Sequence, residues 1–114
     1  MAKIFSVREF TLNPGVRPED FEQAIQLELA KAPDLPGWKA SLGKGDRGHQ
    51  VGNYLFMWEL ESVERRNEVV PVPNQPTEEG RRYIEATATL WQTLNEMATP
   101  AWKVFTDYVV VASS

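Results

Sequence analysis

The side chains that could do chemistry in this chain are few. His49 is the single histidine, and beside Asp46 it could serve as a general base or a metal ligand. It stands among glycines in a polar stretch, however, where a solvated histidine is the plainer reading, and metal sites want several converging ligands. Arg8, Glu9, Glu59 and Asp107 are charged residues set within otherwise apolar segments. If Arg8 meets Asp107 or Glu59 across a sheet, the pair is a structural ion pair near a dimer interface. In the sharper reading Arg8 anchors a ligand carboxylate or phenolate, for which its planar fork is well shaped. Trp58, Tyr83, Trp91, Trp102 and Tyr108 form an amphipathic aromatic set. Most fall on inner faces and read as core. Tyr83 and Trp91 lie on the second long helix, placed to line a helix–sheet cleft that would accept a flat or greasy molecule.

Other signals reduce to bland readings. Gly43-Lys44-Gly45-Asp46-Arg47-Gly48 satisfies G-x-G-x-x-G, but a strand follows it and not the helix a pyrophosphate needs. Pro73-Asn74-Gln75-Pro76 fits PxxP, which a rigid loop explains without a partner domain. The absence of cysteine excludes disulfides, thiolate catalysis and cysteine-held zinc or iron–sulfur sites. A net charge of -4 argues against binding nucleic acid or an anionic membrane surface. Hydrophobic content of 42% suits one globular domain over 1–114. The amino-terminal residues read as a strand and not as a signal peptide, and the longest apolar run, Tyr108–Ala112, is far too short to span a bilayer. A cytoplasmic protein is expected.

These residues must be positioned by a short list of elements. A first strand over Lys3–Leu12 stops at Asn13-Pro14-Gly15. A helix then starts near Pro18, with Glu19 and Asp20 in its first turn and Phe21, Ala24, Ile25, Leu29 and Ala32 on one face. Pro33 and Pro36-Gly37 end it. Strands over Trp38–Leu42 and Asn53–Leu60 flank a glycine-rich connection. A helical turn follows at Ser62–Asn67, then a proline-bearing loop over Val69–Pro76. A second long helix starts after a Thr77 cap, with Ile84, Thr87, Trp91, Leu94 and Ala98 inward, and Pro100 ends it. Trp102–Val111 reads as the last strand.

The order β-α-β-β-α-β, with right-handed crossovers, predicts an α+β ferredoxin-like domain: a four-stranded antiparallel sheet in order 4-1-3-2 with both long helices on one face. The strands are apolar on both faces. Ile4, Phe10 and Leu12 alternate with Phe5 and Val7, and Tyr54, Phe56, Trp58 and Leu60 with Leu55 and Met57. Two helices cover one face, so the other needs a partner, and a second copy of the same sheet supplies it. The expected state is a sheet-to-sheet homodimer.

With that pattern, and with Arg47–Glu59 running into Ser62–Asn67, the chain resembles the dimeric α/β-barrel superfamily, which includes antibiotic-biosynthesis-type monooxygenases, haem-degrading enzymes and EthD-like proteins. The haem-degrading branch relies on a histidine on the second helix, and none lies between Thr77 and Ala98. The resemblance implies either a small-molecule-binding dimer or a cofactor-independent monooxygenase acting on a phenolic or polyketide-type metabolite.

The residues themselves direct attention to a cavity between the second long helix and the sheet. Arg8, Trp58, Tyr83 and Trp91 are the expected ligand-binding set, with the apolar body of an acyl chain or aromatic acid on the rings and Arg8 as polar anchor. The proline loop is placed to gate it. Strand parity is open, so Arg8 faces either this cavity or the dimer interface. An interaction module without a cavity is the third alternative. No zinc, iron–sulfur, haem or nucleotide cofactor is expected.

Overall fold

Asn13-Pro14-Gly15 turns the chain out of β1 (Ile4–Leu12) and into α1 (Pro18–Lys31). Gly15 sits at φ +87°, a left-handed position that glycine occupies without steric cost. Pro18 opens α1 where its missing N–H costs nothing, and Glu19 and Asp20 lie at the positive end of the helix dipole. The computed structural model describes residues 2–114.

An antiparallel hairpin follows, β2 (Trp38–Lys44) against β3 (Tyr54–Leu60), in register Trp38↔Leu60 to Lys44↔Tyr54. Next come α2 (Val63–Val69), α3 (Glu78–Ala86) and α4 (Ala88–Met97), then β4 (Ala98–Pro100) and β5 (Thr106–Val109). The Ser62 hydroxyl caps α2 by accepting the Arg65 N–H at 3.0 Å. Thr77 caps α3 through Gly80.

The sheet order is β2-β3-β1, with β4 and β5 both antiparallel to β1 on its other side. This is the expected ferredoxin-like arrangement, with two changes. The last strand does not run unbroken over Trp102–Val111. It is cut into β4, beside Phe10–Leu12, and β5, beside Ile4–Val7, and residues 101–105 bulge out between them. Trp102, expected inside, is 70% exposed on that bulge. The second long helix is also two helices, broken at Thr87, whose φ of -110° and ψ of 21° leave the helical basin. Behind the break Thr87 donates its hydroxyl to the Tyr83 carbonyl at 2.7 Å, a side-chain bond that competes with the helical ladder. Ile84, expected inward, consequently lies 44% exposed, and Leu90 takes the buried position.

Alternation assigns the two faces. Ile4, Ser6 and Phe10 of β1 and Tyr54, Phe56, Trp58 and Leu60 of β3 are buried under the helices. Phe21 and Ile25 of α1 and Leu90 and Leu94 of α4 close over them. Phe5, Val7, Leu55 and Met57 point the other way and are half-buried, joined there by the exposed Tyr108. Among the described residues no element covers that second face.

Candidate functional site

The helix break and the strand break fall on one side of the sheet, and a cavity of about 630 Å³ lies there. Its floor is β1 and β3. Its walls are the segment running from α2 through the proline loop to α3 and α4, and the bulge between β4 and β5. The four residues expected as a set, Arg8, Trp58, Tyr83 and Trp91, all line it. The parity question is thereby answered: Arg8 follows Ser6 by two residues on the helix-side face of β1, so it faces this cavity and not the open face.

The rings hold one another by edge contacts. Trp58 meets Tyr83 at 5.7 Å, Trp38 at 5.6 Å and Phe56 at 5.7 Å between ring centroids, each near-perpendicular. Trp91 packs on Phe56 at 5.5 Å and on Phe105 at 6.4 Å. The Trp91 indole N–H donates to the Thr87 hydroxyl at 2.9 Å. Burial pushes the Tyr83 phenol above its ordinary pKa, with Asp34 adding to the shift.

Arg8 does not form the expected ion pair. Glu59 lies on the opposite face with Lys3, and Asp107 pairs with Arg66 at 3.1 Å while accepting the Ser6 hydroxyl at 2.6 Å. Arg8 instead donates from Nε to the Trp102 carbonyl and from Nη2 to the Lys103 carbonyl, each at 3.0 Å. Its guanidinium stacks 5.5 Å from the Phe10 ring centroid and 5.8 Å from that of Phe105. Partial burial lowers its pKa from the ordinary value. Among the described residues no carboxylate lies within ion-pair distance of it.

Ser6, Arg66, Lys103, Phe105 and Asp107 also line the cavity and were not anticipated as a group. The available signal was Ser6 at two residues from Arg8 on a strand. The α2–α3 wall is braced from outside by Arg65, which grips Glu79 through two bonds of 2.9 and 2.6 Å and donates from Nε to the Pro36 carbonyl at 2.7 Å. Glu79, held by that guanidinium, lies below the usual carboxylate range. His49 and Asp46 sit on the exposed β2–β3 connection, away from the cavity. Among the described residues no three His, Asp or Glu side chains converge as a metal site, and no helix is long and apolar enough to cross a membrane.

No family model matches the chain, and no curated protein does. Solved structures do. SnoaB, a cofactor-independent oxygenase from Streptomyces nogalater, is similar with a TM-score of 0.59 and 14% identity, over 100% of this chain and 96% of that one. A dimeric ferredoxin-like protein of unknown function from Thermobifida fusca YX is similar with a TM-score of 0.60 and 16% identity, over 96% and 92%. A dimeric protein of unknown function and ferredoxin-like fold from Bacteroides fragilis NCTC 9343 gives 0.55 and 14%, over 95% and 96%. At such identities the likeness is one of fold. It places this chain among ferredoxin-like structures over essentially its whole length.

Proposed function

We propose that this protein is a homodimer that binds a small, flat, amphipathic molecule in the helix–sheet cavity, with Trp58, Tyr83 and Trp91 against its apolar body and Arg8 at its polar end. The observation that carries this reading is the 630 Å³ aromatic-walled space with one cationic side chain on its floor that has no carboxylate partner among the described residues. The volume is in the range of small-ligand sites. A stack of interlocked rings also supports a preformed cavity, since edge-to-face packing fixes each ring before a ligand arrives. The dimer is supported by the uncovered face bearing Phe5, Val7, Leu55 and Met57, and by the dimeric description of two fold neighbours.

Titration of tryptophan fluorescence with a flat aromatic probe such as 2-naphthoate tests the cavity. Quenching that saturates in the wild type and weakens at least several-fold in Trp91→Ala is expected. Equal affinity and quenching in both proteins would locate binding elsewhere.

A second reading, a cofactor-independent oxygenase acting on a phenolic or polyketide-type metabolite, is favoured by the SnoaB likeness together with Arg8. A guanidinium in an aromatic cavity would stabilise the enolate or phenolate that such chemistry passes through. Oxygen consumption on addition of a tricyclic anthrone, abolished in Arg8→Gln, is the corresponding observation. An anthrone that binds without consuming oxygen leaves binding alone.

A further inference from the structure

The cavity has charge of its own. Arg8, Arg66 and Lys103 line it against the single carboxylate of Asp107, in a chain whose net charge is -4. That carboxylate is already engaged, by the Ser6 hydroxyl at 2.6 Å on one oxygen and Arg66 at 3.1 Å on the other. Ser6 and Asp107 face one another across the β1–β5 pair, and Arg8 is the next side chain along the same face of β1. The polar groups therefore gather where β5 and the bulge meet β1, while Trp38, Trp58 and Tyr83 pack together away from them.

Arg8 has five N–H donors, and two are spent on the Trp102 and Lys103 carbonyls. Those bonds and the flanking Phe10 and Phe105 rings hold the guanidinium in place without neutralising it. Retaining an unpaired charge there costs desolvation, as the lowered pKa of Arg8 reflects. A neutral ligand would leave that cost uncompensated. An anion with two oxygens in one plane would offset it through the unused donors.

Resting on the cavity assigned above, we infer that its ligand is an anion, specifically a planar aromatic carboxylate, whose carboxylate is held by Arg8 in a corner that Arg66 also lines. Asp107 acts as a positioning residue: together with Asn67, which accepts from Arg66 Nε at 3.1 Å, it holds the Arg66 guanidinium while leaving it further donors. Carboxylates lacking a flat body would miss the ring contacts, and flat neutral molecules would miss Arg8.

The test uses full-length wild-type protein and two probes of one shape, 2-naphthoate and its neutral isostere 2-naphthamide, followed by tryptophan quenching. Naphthoate is expected to bind about tenfold or more tightly than naphthamide, with a preference that shrinks as salt rises. In Arg8→Gln the preference should fall several-fold, with Arg66 retaining the remainder, while naphthamide affinity holds. Equal affinities of the wild type for the two probes would overturn the anion inference and leave the cavity reading standing. Binding of neither probe would overturn both. Should Arg8→Gln lose its fold, as judged by circular dichroism, Arg66→Gln provides the second variant and should reduce naphthoate binding but not naphthamide binding. An unchanged naphthoate affinity in a folded Arg66→Gln would remove Arg66 from the corner, and the wild-type probe comparison decides the inference independently of either variant.

Discussion

Trp91 donates its indole N–H to the Thr87 hydroxyl at 2.9 Å, and Thr87 passes its own hydrogen to the Tyr83 carbonyl at 2.7 Å. One side chain thus interrupts the helix and orients a ring of the cavity wall. Replacing it by valine keeps the volume and removes both bonds. Thr87→Val should lower stability by about 1 kcal/mol in chemical denaturation and shift the tryptophan emission, because Trp91 loses its tether. An unchanged spectrum with unchanged probe binding would show that the bond does not position the ring.

Gly80 reverses the usual helix preference. A Cβ there would lie 2.5 Å from the Val69 carbonyl oxygen and 2.9 Å from Pro76 Cβ, where α3 crosses the end of α2 and the proline loop. In an ordinary helix interior, Gly→Ala is stabilising. Here Gly80→Ala should destabilise by about 1–3 kcal/mol and weaken probe binding, since Gly80 also lines the cavity. A rise in melting temperature would show that α2 and α3 can separate at little cost.

In the second turn of α1, Glu22 accepts from the Tyr54 hydroxyl at 2.5 Å and from Lys44 on the same carboxylate oxygen at 3.0 Å. The bond from Tyr54, and next that from Lys44, lower the Glu22 pKa below its ordinary value. A carboxylate depressed in the folded state contributes stability above its unfolded pKa and loses it as pH falls through the folded one. The melting-temperature gap between wild type and Glu22→Gln should therefore be constant near neutrality and begin to narrow below about pH 4. A gap that does not narrow at all between about pH 7 and pH 3 would mean that the charge is not what the pair contributes.

The uncovered sheet face is the dimer interface proposed above. Met57→Glu places a charge among Phe5, Val7 and Leu55 on a surface outside the helix-side core. Light scattering after size exclusion should report a dimer for the wild type and a monomer of unchanged circular dichroism for the variant. A monomeric wild type at micromolar concentration would defeat the proposal.

Legibility followed the kind of force involved. β1 and β3 were readable because Ile4–Leu12 and Tyr54–Leu60 are short runs rich in aromatic and apolar residues, the first closed by Asn13-Pro14-Gly15 and the second preceded by a glycine-rich connection. The gathering of Trp58, Tyr83 and Trp91 followed from periodicity and topology, since inward positions of a covering helix must meet the floor beneath. The break at Thr87 was hidden because threonine is an ordinary helix residue until its hydroxyl finds the Tyr83 carbonyl. The cut in the last strand was hidden for a different reason. Trp102–Phe105 has strong strand composition, but the carbonyls of Trp102 and Lys103 are taken by Arg8, about ninety positions earlier in the chain. Tertiary capture of this kind leaves no local trace.

That cut also governs how copies of the chain can meet. A long, straight outer strand is a template on which further strands add without limit. Here one rim consists of β4 and β5, three and four residues long, separated by the bulge that Arg8 pins. The opposite rim, β2, presents Lys39 and carries Lys44 at its end. Neither rim offers an uninterrupted row of backbone partners free of charge, so rim-to-rim growth into fibres is suppressed at both sides. The sheet-to-sheet pairing proposed above is, by contrast, closed and finite by construction.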